Sequence, residues 1–215
     1  MNGKKIEFLT HFIVESDAIE RIHADPELVR SQLKEGYQKG HVGALLLLEK
    51  TAQRRRSLGQ ELICQVQGLI TAEQHMKPGG QKLSPEWIGA YRLIDVSIGG
   101  RMAPSPSLVP ALTHSWIEDI AAWQKKHSSY TPAANLMEIA VFHYRYEHVH
   151  PFADGNGRSG RALVYYLMRY CGINPFAFTS DDRFETYYRC FNDPKEMQKY
   201  FKLKFRGTFS AQAHC

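Results

Sequence analysis

The run His150-Pro151-Phe152-Ala153-Asp154-Gly155-Asn156-Gly157-Arg158-Ser159-Gly160-Arg161 concentrates more chemistry than any other stretch of the chain. Gly155 and Gly157 let the backbone turn tightly and present N–H groups, and a helix starting there offers its positive end to an anion. That is a phosphate cradle. Arg158 and Arg161, three apart on the first turns of that helix, project to one side and can clamp successive phosphates. Asp154 adds a hard oxygen ligand, and a magnesium ion on a polyphosphate keeps several waters and needs only one or two carboxylates. His150 fills the remaining role, since an imidazole with an unperturbed pKa near about 6.5 can take the proton of an attacking hydroxyl at neutral pH.

Other readings of these residues fail on context. Gly155-x-Gly157-x-x-Gly160 satisfies the dinucleotide-binding pattern literally, but it follows the helical AVFHYRYEHVH where that fingerprint needs a strand. His148, His150 and Asp154 lack the second ligand cluster that a transition-metal centre would call for. No GxxxxGK(S/T) loop occurs.

The elements that must hold the run are readable from periodicity. From Pro132, residues Leu136, Ile139, Ala140, His143, Tyr146 and Val149 recur at three and four, predicting a core-facing helix to about His148. The period resumes in Ala162, Leu163, Tyr166, Leu167 and Tyr170, and Cys171-Gly172 with Pro175 is a stop signal. Two long helices therefore flank residues 150–157. Val96 and Ile98 alternate around Ser97 before Gly99-Gly100, which predicts a short strand and turn. Ser84-Pro85, Ser105-Pro106, Thr131-Pro132 and Asp193-Pro194 each set a capping side chain before a proline at a helix start, and Glu196 completes a capping-box spacing with Asp193. The Pro/Gly stretch at 77–80 separates an N-terminal helical part, 1–80, from a core spanning 81–205, with 206–215 as a tail.

Composition bounds the rest. With 27 Lys+Arg against 22 Asp+Glu the 215-residue chain carries a formal +5, and 43% hydrophobic with 23% charged residues is the balance of a globular protein. The basic excess is spread out. Arg54, Arg55 and Arg56 form the only dense run and read as a solvated helix face, so nucleic acid is not an expected partner. The apolar run at 44–48 falls far short of the about 20 residues that span a bilayer, so no membrane partner is expected either. The N-terminus MNGKKIEFLTHF meets Glu7, His11 and Glu15 before an export-signal core could form. Cys64, Cys171, Cys190 and Cys215 show neither CxxC nor zinc-finger spacing, which predicts reduced thiols and a cytoplasmic setting.

Residues 150–161 resemble the full signature of Fic proteins, HxFx(D/E)GNGRxxR, and AVFHYRYEHVHPF and YRLIDVSIGGRMAP resemble the helix entering that motif and the flap preceding it. The resemblance covers residues 85–205. It implies an all-α fold, a Fic-type helical bundle with a small β-hairpin flap, and transfer of AMP from ATP to a hydroxyl of a target protein, with Mg²⁺ required. By position it makes His150 the general base and Asp154 the magnesium ligand. Gly155, Asn156 and Gly157 would line the α- and β-phosphate site, and Arg158 and Arg161 would hold the outer phosphates. Val96, Ser97, Ile98 and Gly99 would align an extended target segment, while Tyr187 and Tyr188 resemble a tyrosine pair near the nucleobase.

The same family often carries an inhibitory helix written (S/T)xxxE(G/N), and Ser16-Asp17-Ala18-Ile19-Glu20 resembles it, with Ser16 and Glu20 at the defining positions. The next residue is Arg21, where the pattern has glycine or asparagine. The resemblance implies that Glu20 pairs with Arg161 and obstructs productive γ-phosphate binding. Expected partners are ATP and a target protein with an accessible Tyr, Thr or Ser. Other Fic-type transfers (phosphoryl, UMP, phosphocholine), removal of AMP, and a non-catalytic nucleotide-binding module remain open at this point, as does a symmetric homo-oligomer.

Overall fold

A computed structural model describes residues 1–212; Cys215 and the two residues before it lie outside the described residues. The chain folds into eight α-helices among the described residues, with one two-stranded hairpin. They are α1 (Gly3–Ile19), α2 (Pro26–Glu35), α3 (Gly40–Gln53), α4 (Gln60–Ala72), α5 (Val109–Lys126), α6 (Pro132–Val149), α7 (Asn156–Tyr170) and α8 (Pro194–Gln212). The all-α expectation with a small hairpin flap is met.

Helix α7 is the axis of the bundle. Arg158, Ser159, Gly160 and Arg161 are buried on its first turns and Leu163, Tyr166, Leu167 and Met168 further along, because α1, α3, α4 and α6 all pack on it. The core is continuous from Ile6 to Phe201. It runs across the loop at 77–80, so the helices before that loop share one core with the helices after it. Two buried indole N–H groups there find partners, as their burial demands: Trp116 Nε1 donates to Phe142 O and Trp123 Nε1 to Asn135 Oδ1.

Helix α6 begins as its sequence predicts, with Thr131 Oγ1 accepting from Ala134 N at 3.1 Å and Pro132 in the first turn. Two other expected caps are corrected: Ser84 and Ser105 make no capping hydrogen bond; Ser84 opens only a single 3₁₀ turn, Pro85–Trp87, while the turn after Ser105, Pro106–Leu108, leads directly into α5 at Val109. The box at Asp193 stays half formed, since Asp193 Oδ1 accepts from Lys195 N while Glu196 turns outward to Lys199. Helix α8 continues to Gln212, into the stretch expected as a tail. No helix among the described residues is long and apolar enough to cross a membrane. Cys64, Cys171 and Cys190 are free thiols.

The flap pairs β1 (Ser97–Ile98) with β2 (Arg101–Met102), antiparallel, through a Gly99-Gly100 turn with φ of 54° and 83°. Positive φ at both central residues is the hairpin-turn geometry that follows strand twist. Val96 O accepts from Ala103 N at 3.0 Å and extends the ladder by one rung.

Candidate active site

A cleft of about 820 Å³ opens between the flap, the end of α6, the start of α7 and residues 187–192. His150, Asp154, Gly155, Asn156, Gly157, Arg158 and Arg161 all line it, as do Ser97, Ile98 and Gly99 of the flap. Tyr187, Tyr188 and Glu20 complete the wall among the residues that sequence singles out.

His150 is the residue that ends α6. It sits in the left-handed region, φ 49° and ψ 63°, where a helix usually places glycine, and its own N–H bonds to Tyr146 O. A non-glycine residue there carries strain of the kind found at functional sites. Its Nδ1 lies 3.1 Å from Glu147 O. A carbonyl can only accept, so Nδ1 carries the hydrogen and Nε2 keeps its lone pair. Burial pushes the imidazole down to about 4, so the ring is neutral and able to take a proton at pH 7.

The start of α7 is an open anion site. Gly155 precedes it at φ 78°, no side chain caps it, and the first intrahelical bond is Ser159 N to Gly155 O. The N–H groups of Asn156, Gly157 and Arg158 are therefore not used by the helix, and the macrodipole adds to them. Asn156 contributes by its backbone alone. Its side chain folds back to Phe152, with Nδ2 donating to Phe152 O at 2.8 Å and Oδ1 accepting from Phe152 N at 2.9 Å, and so pins the loop.

Arg158 and Arg161 are both buried at the mouth of this helix. Arg158 Nη2 donates to Gln74 Oε1 at 2.6 Å, and its buried Nε has no hydrogen-bond partner among the described residues. Arg161 is fully engaged by α1. Its Nε donates to Ser16 Oγ at 3.0 Å, and its Nη2 to Ser16 O and Glu20 Oε1, each at 2.8 Å. Burial pulls the guanidinium pKa down, but Glu20, Tyr187 and Glu147 together outweigh it and the net shift is upward. Glu20 also lies over Gly157, where a Cβ would come within 2.2 Å of Glu20 Oε1. Arg21 adopts φ 61°, which is why glycine or asparagine suits the position after the glutamate.

Asp154 presents a carboxylate at the cleft wall that is 44% exposed. Its Oδ1 accepts from Gly155 N and, at 3.5 Å, from Arg158 Nη2, and its Oδ2 from Gln74 Nε2, which leaves a lone pair on Oδ2. No group of three or more His, Cys, Asp or Glu residues that could hold a metal occurs among the described residues. The donor set therefore fits a hard cation carried by phosphate oxygens with one protein carboxylate, and it does not fit a closed metal centre.

Tyr187 is the less accessible of the tyrosine pair. It is buried and its hydroxyl lies 2.8 Å from His143 Nε2, while Tyr188 is 38% exposed and its hydroxyl reaches Ile19 O. Four further residues at the site carry no signal in the sequence: Gln67, Gln74, Arg92 and Glu147. Gln67 Nε2 donates to Asp154 O. Buried Arg92 holds the flap to the motif, with Nε on His150 O at 2.8 Å, Nη1 on Ile94 O at 2.9 Å and Nη2 on Pro104 O at 2.6 Å. Glu147 is a buried carboxyl whose pKa burial pushes up to about 8, against the pull of Arg161.

A helical bundle that sets a histidine, an uncapped helix start and two buried arginines around one cleft, with a small hairpin beside it, is a Fic-type fold. The chain belongs to the Fic/DOC family, whose pattern matches residues 57–168, more than half of its length. Among curated relatives, the "Protein adenylyltransferase Fic" of Drosophila sechellia is 32% identical over 101 residues, covering 46% of this chain and 19% of that protein. The protein of the same name in Drosophila persimilis is 30% identical over 133 residues, 61% of this chain and 24% of that protein. The matches thus span about a fifth to a quarter of those relatives. Among solved structures, a Fic domain containing signaling protein from Bacteroides thetaiotaomicron superposes with a TM-score of 0.71 at 22% identity, over 96% of this chain and 84% of that one. Fic-1 (aa134–508) from C. elegans gives 0.66 at 19% identity, over 97% and 63%. At such identities the superpositions speak for the fold.

Proposed function

We propose that this protein transfers AMP from ATP to a hydroxyl side chain, Tyr, Thr or Ser, of a target protein. The observation that carries the reading is the neutral His150, its Nδ1 bound to Glu147 O, on the wall of a cleft that also holds the uncapped start of α7. The curated relatives named adenylyltransferases support the choice of AMP as the group transferred.

In this reading the N–H groups at the start of α7 hold the α- and β-phosphates, and Arg158 and Arg161 hold the outer ones. The flap residues 96–99 pair with an extended target segment and bring its hydroxyl to the α-phosphorus. The hydroxyl oxygen forms the new bond to phosphorus, its proton passes to His150 Nε2, and the bond to the bridging oxygen breaks to release pyrophosphate. Asp154 would hold Mg²⁺, which neutralises charge on the phosphate oxygens. Donors fixed before the reaction stabilise the charge that builds on those oxygens without reorganising.

Glu20 and Ser16 restrain this chemistry. While Glu20 occupies Arg161 Nη2 and lies over Gly157, a γ-phosphate cannot take that guanidinium, so the α-phosphate is held out of line. The test is the intact mass of the Glu20→Gly protein after incubation with ATP and Mg²⁺, beside the same protein carrying His150→Ala. An added AMP that vanishes with His150→Ala supports the reading; an added phosphate contradicts it.

A further inference from the structure

The 3₁₀ turn Gln74–Met76 that follows α4 delivers one buried side chain to the site. Gln74 Nε2 donates to Asp154 Oδ2 at 2.7 Å and to Gln81 O at 2.7 Å, and its Oε1 accepts from Arg158 Nη2 at 2.6 Å. Both amide hydrogens and the carbonyl are thus engaged, and the two acceptors and the one donor fix which end is nitrogen. A flipped amide would set oxygen against a carboxylate and a carbonyl and set N–H against a guanidinium. The main chain fixes the glutamine in turn, because the glycine loop folds onto it so closely that a Cβ on Gly80 would fall 1.9 Å from Gln74 O.

We propose that Gln74 is a positioning residue which locks the Asp154 carboxylate and the Arg158 guanidinium in one register for a magnesium-bound polyphosphate. The two charged groups are of opposite sign and lie only 3.5 Å apart, Arg158 Nη2 to Asp154 Oδ1. They already share this one long contact, and a closer bidentate pairing would commit to it more of the lone pairs and N–H groups that a ligand needs. The amide takes one contact from each partner and keeps their mutual contact long and single, which leaves Asp154 half exposed and Arg158 Nε unpartnered. Gln67 acts on the same residue from α4, with Nε2 on Asp154 O and Oε1 on Gly89 N at 2.6 Å, so main chain and carboxylate are each fixed by a glutamine from outside the motif. Groups that orient a metal's ligand typically change metal affinity by about 10- to 100-fold when removed.

The inference rests on the reading of Asp154 as the magnesium ligand, and the experiment separates the two. ATP binding to the full-length Glu20→Gly protein is measured by calorimetry with and without Mg²⁺, and the ratio of affinities is compared in Gln74→Met, Gln74→Asn and Asp154→Ala. Thermal unfolding of each variant is recorded beside it. A merely structural glutamine would weaken binding equally in both conditions and leave the ratio intact. The expected result is a ratio reduced about 10-fold or more in both Gln74 variants, with metal-free ATP binding retained. Gln74→Asn keeps an amide in the polar niche but is too short to reach both partners, and it decides the matter if Gln74→Met does not fold. A ratio unchanged by Gln74→Asn while Asp154→Ala abolishes it overturns the inference alone. A ratio that survives Asp154→Ala overturns the metal reading and the inference with it.

Discussion

Glu20 Oε1 and Arg161 Nη2 lie 2.8 Å apart, joined across 141 residues of sequence, and the carboxylate is the part of that contact that reaches water. The arginine is 1% exposed and the glutamate 32%. Losing Glu20 therefore frees a guanidinium that the fold has already buried and that Ser16 still orients. We expect Glu20→Gly to raise AMP transfer by at least about 10-fold, a coupling of roughly 1.4 kcal/mol, inside the usual range for one site biasing another. Initial rates of labelled-AMP incorporation check this, and equal rates in the two proteins with matched thermal unfolding would remove Glu20 from regulation.

Arg21 carries a steric cost for following Glu20. With φ at 61° it lies where a side chain other than glycine or asparagine is strained by about 1 kcal/mol. Arg21→Asn should raise stability by about 0.5–1 kcal/mol and leave the Glu20–Arg161 contact in place, read as a higher urea midpoint with an unchanged slope.

Buried Arg92 ties the flap to the catalytic loop through the carbonyls of His150, Ile94 and Pro104. Replacing it leaves those acceptors without a donor, and each buried unsatisfied group costs about 1–3 kcal/mol. Arg92→Ala should lower unfolding free energy by about 3 kcal/mol or more, with faster amide exchange confined to residues 93–103. Uniform exchange across the chain would show that Arg92 does not hold the flap in particular.

Stability should peak between the titrations of buried histidines and a buried glutamate. Burial lowers His143 to about 3 and His150 to about 4, so the unfolded chain takes up protons before the folded one does, and stability falls as pH drops from about 6.5 toward 4. Glu147 works in the opposite direction: burial raises it to about 8, the folded state holds its proton longer, and stability falls as pH rises from 4.5 to about 8. Melting temperature against pH should be dome-shaped, and Glu147→Gln should flatten its alkaline side. An unaltered alkaline limb in that variant would assign the fall to another group. The same lowering of His150 predicts that turnover shows no loss of the base between pH 8 and 6.

How far the site can be read from sequence follows from how local its parts are. His150 to Arg161 are contiguous, and the turn and helix start they form need only themselves, so the cradle is legible in the order of residues alone. The flap is legible through Gly99-Gly100, and α6 and α7 through their periodicity. Gln74 and Arg92 stay hidden because, like Gln67, they act across 58 to 87 residues, and nothing in a single sequence separates a buried glutamine from one on an exposed turn. Ser84 fails as an α-helix cap because the chain turns away after one 3₁₀ turn, and Ser105 precedes α5 by a 3₁₀ turn without bonding to it, tertiary choices that cap chemistry does not encode. Arg21, by contrast, reads as a defect in the motif and is accommodated in the left-handed region at a modest steric cost.

In the proposed function the α-phosphoryl group of ATP, with its adenosine, passes onto a protein hydroxyl whose proton His150 takes. The most direct test supplies the Glu20→Gly protein with a cell extract and ATP labelled at either the α- or the γ-phosphate, and counts label bound to protein. The expected result is α-label on protein, no γ-label above background, and loss of the α-label when His150→Ala is added. Incorporation of γ-label, or α-label that survives His150→Ala, would contradict it.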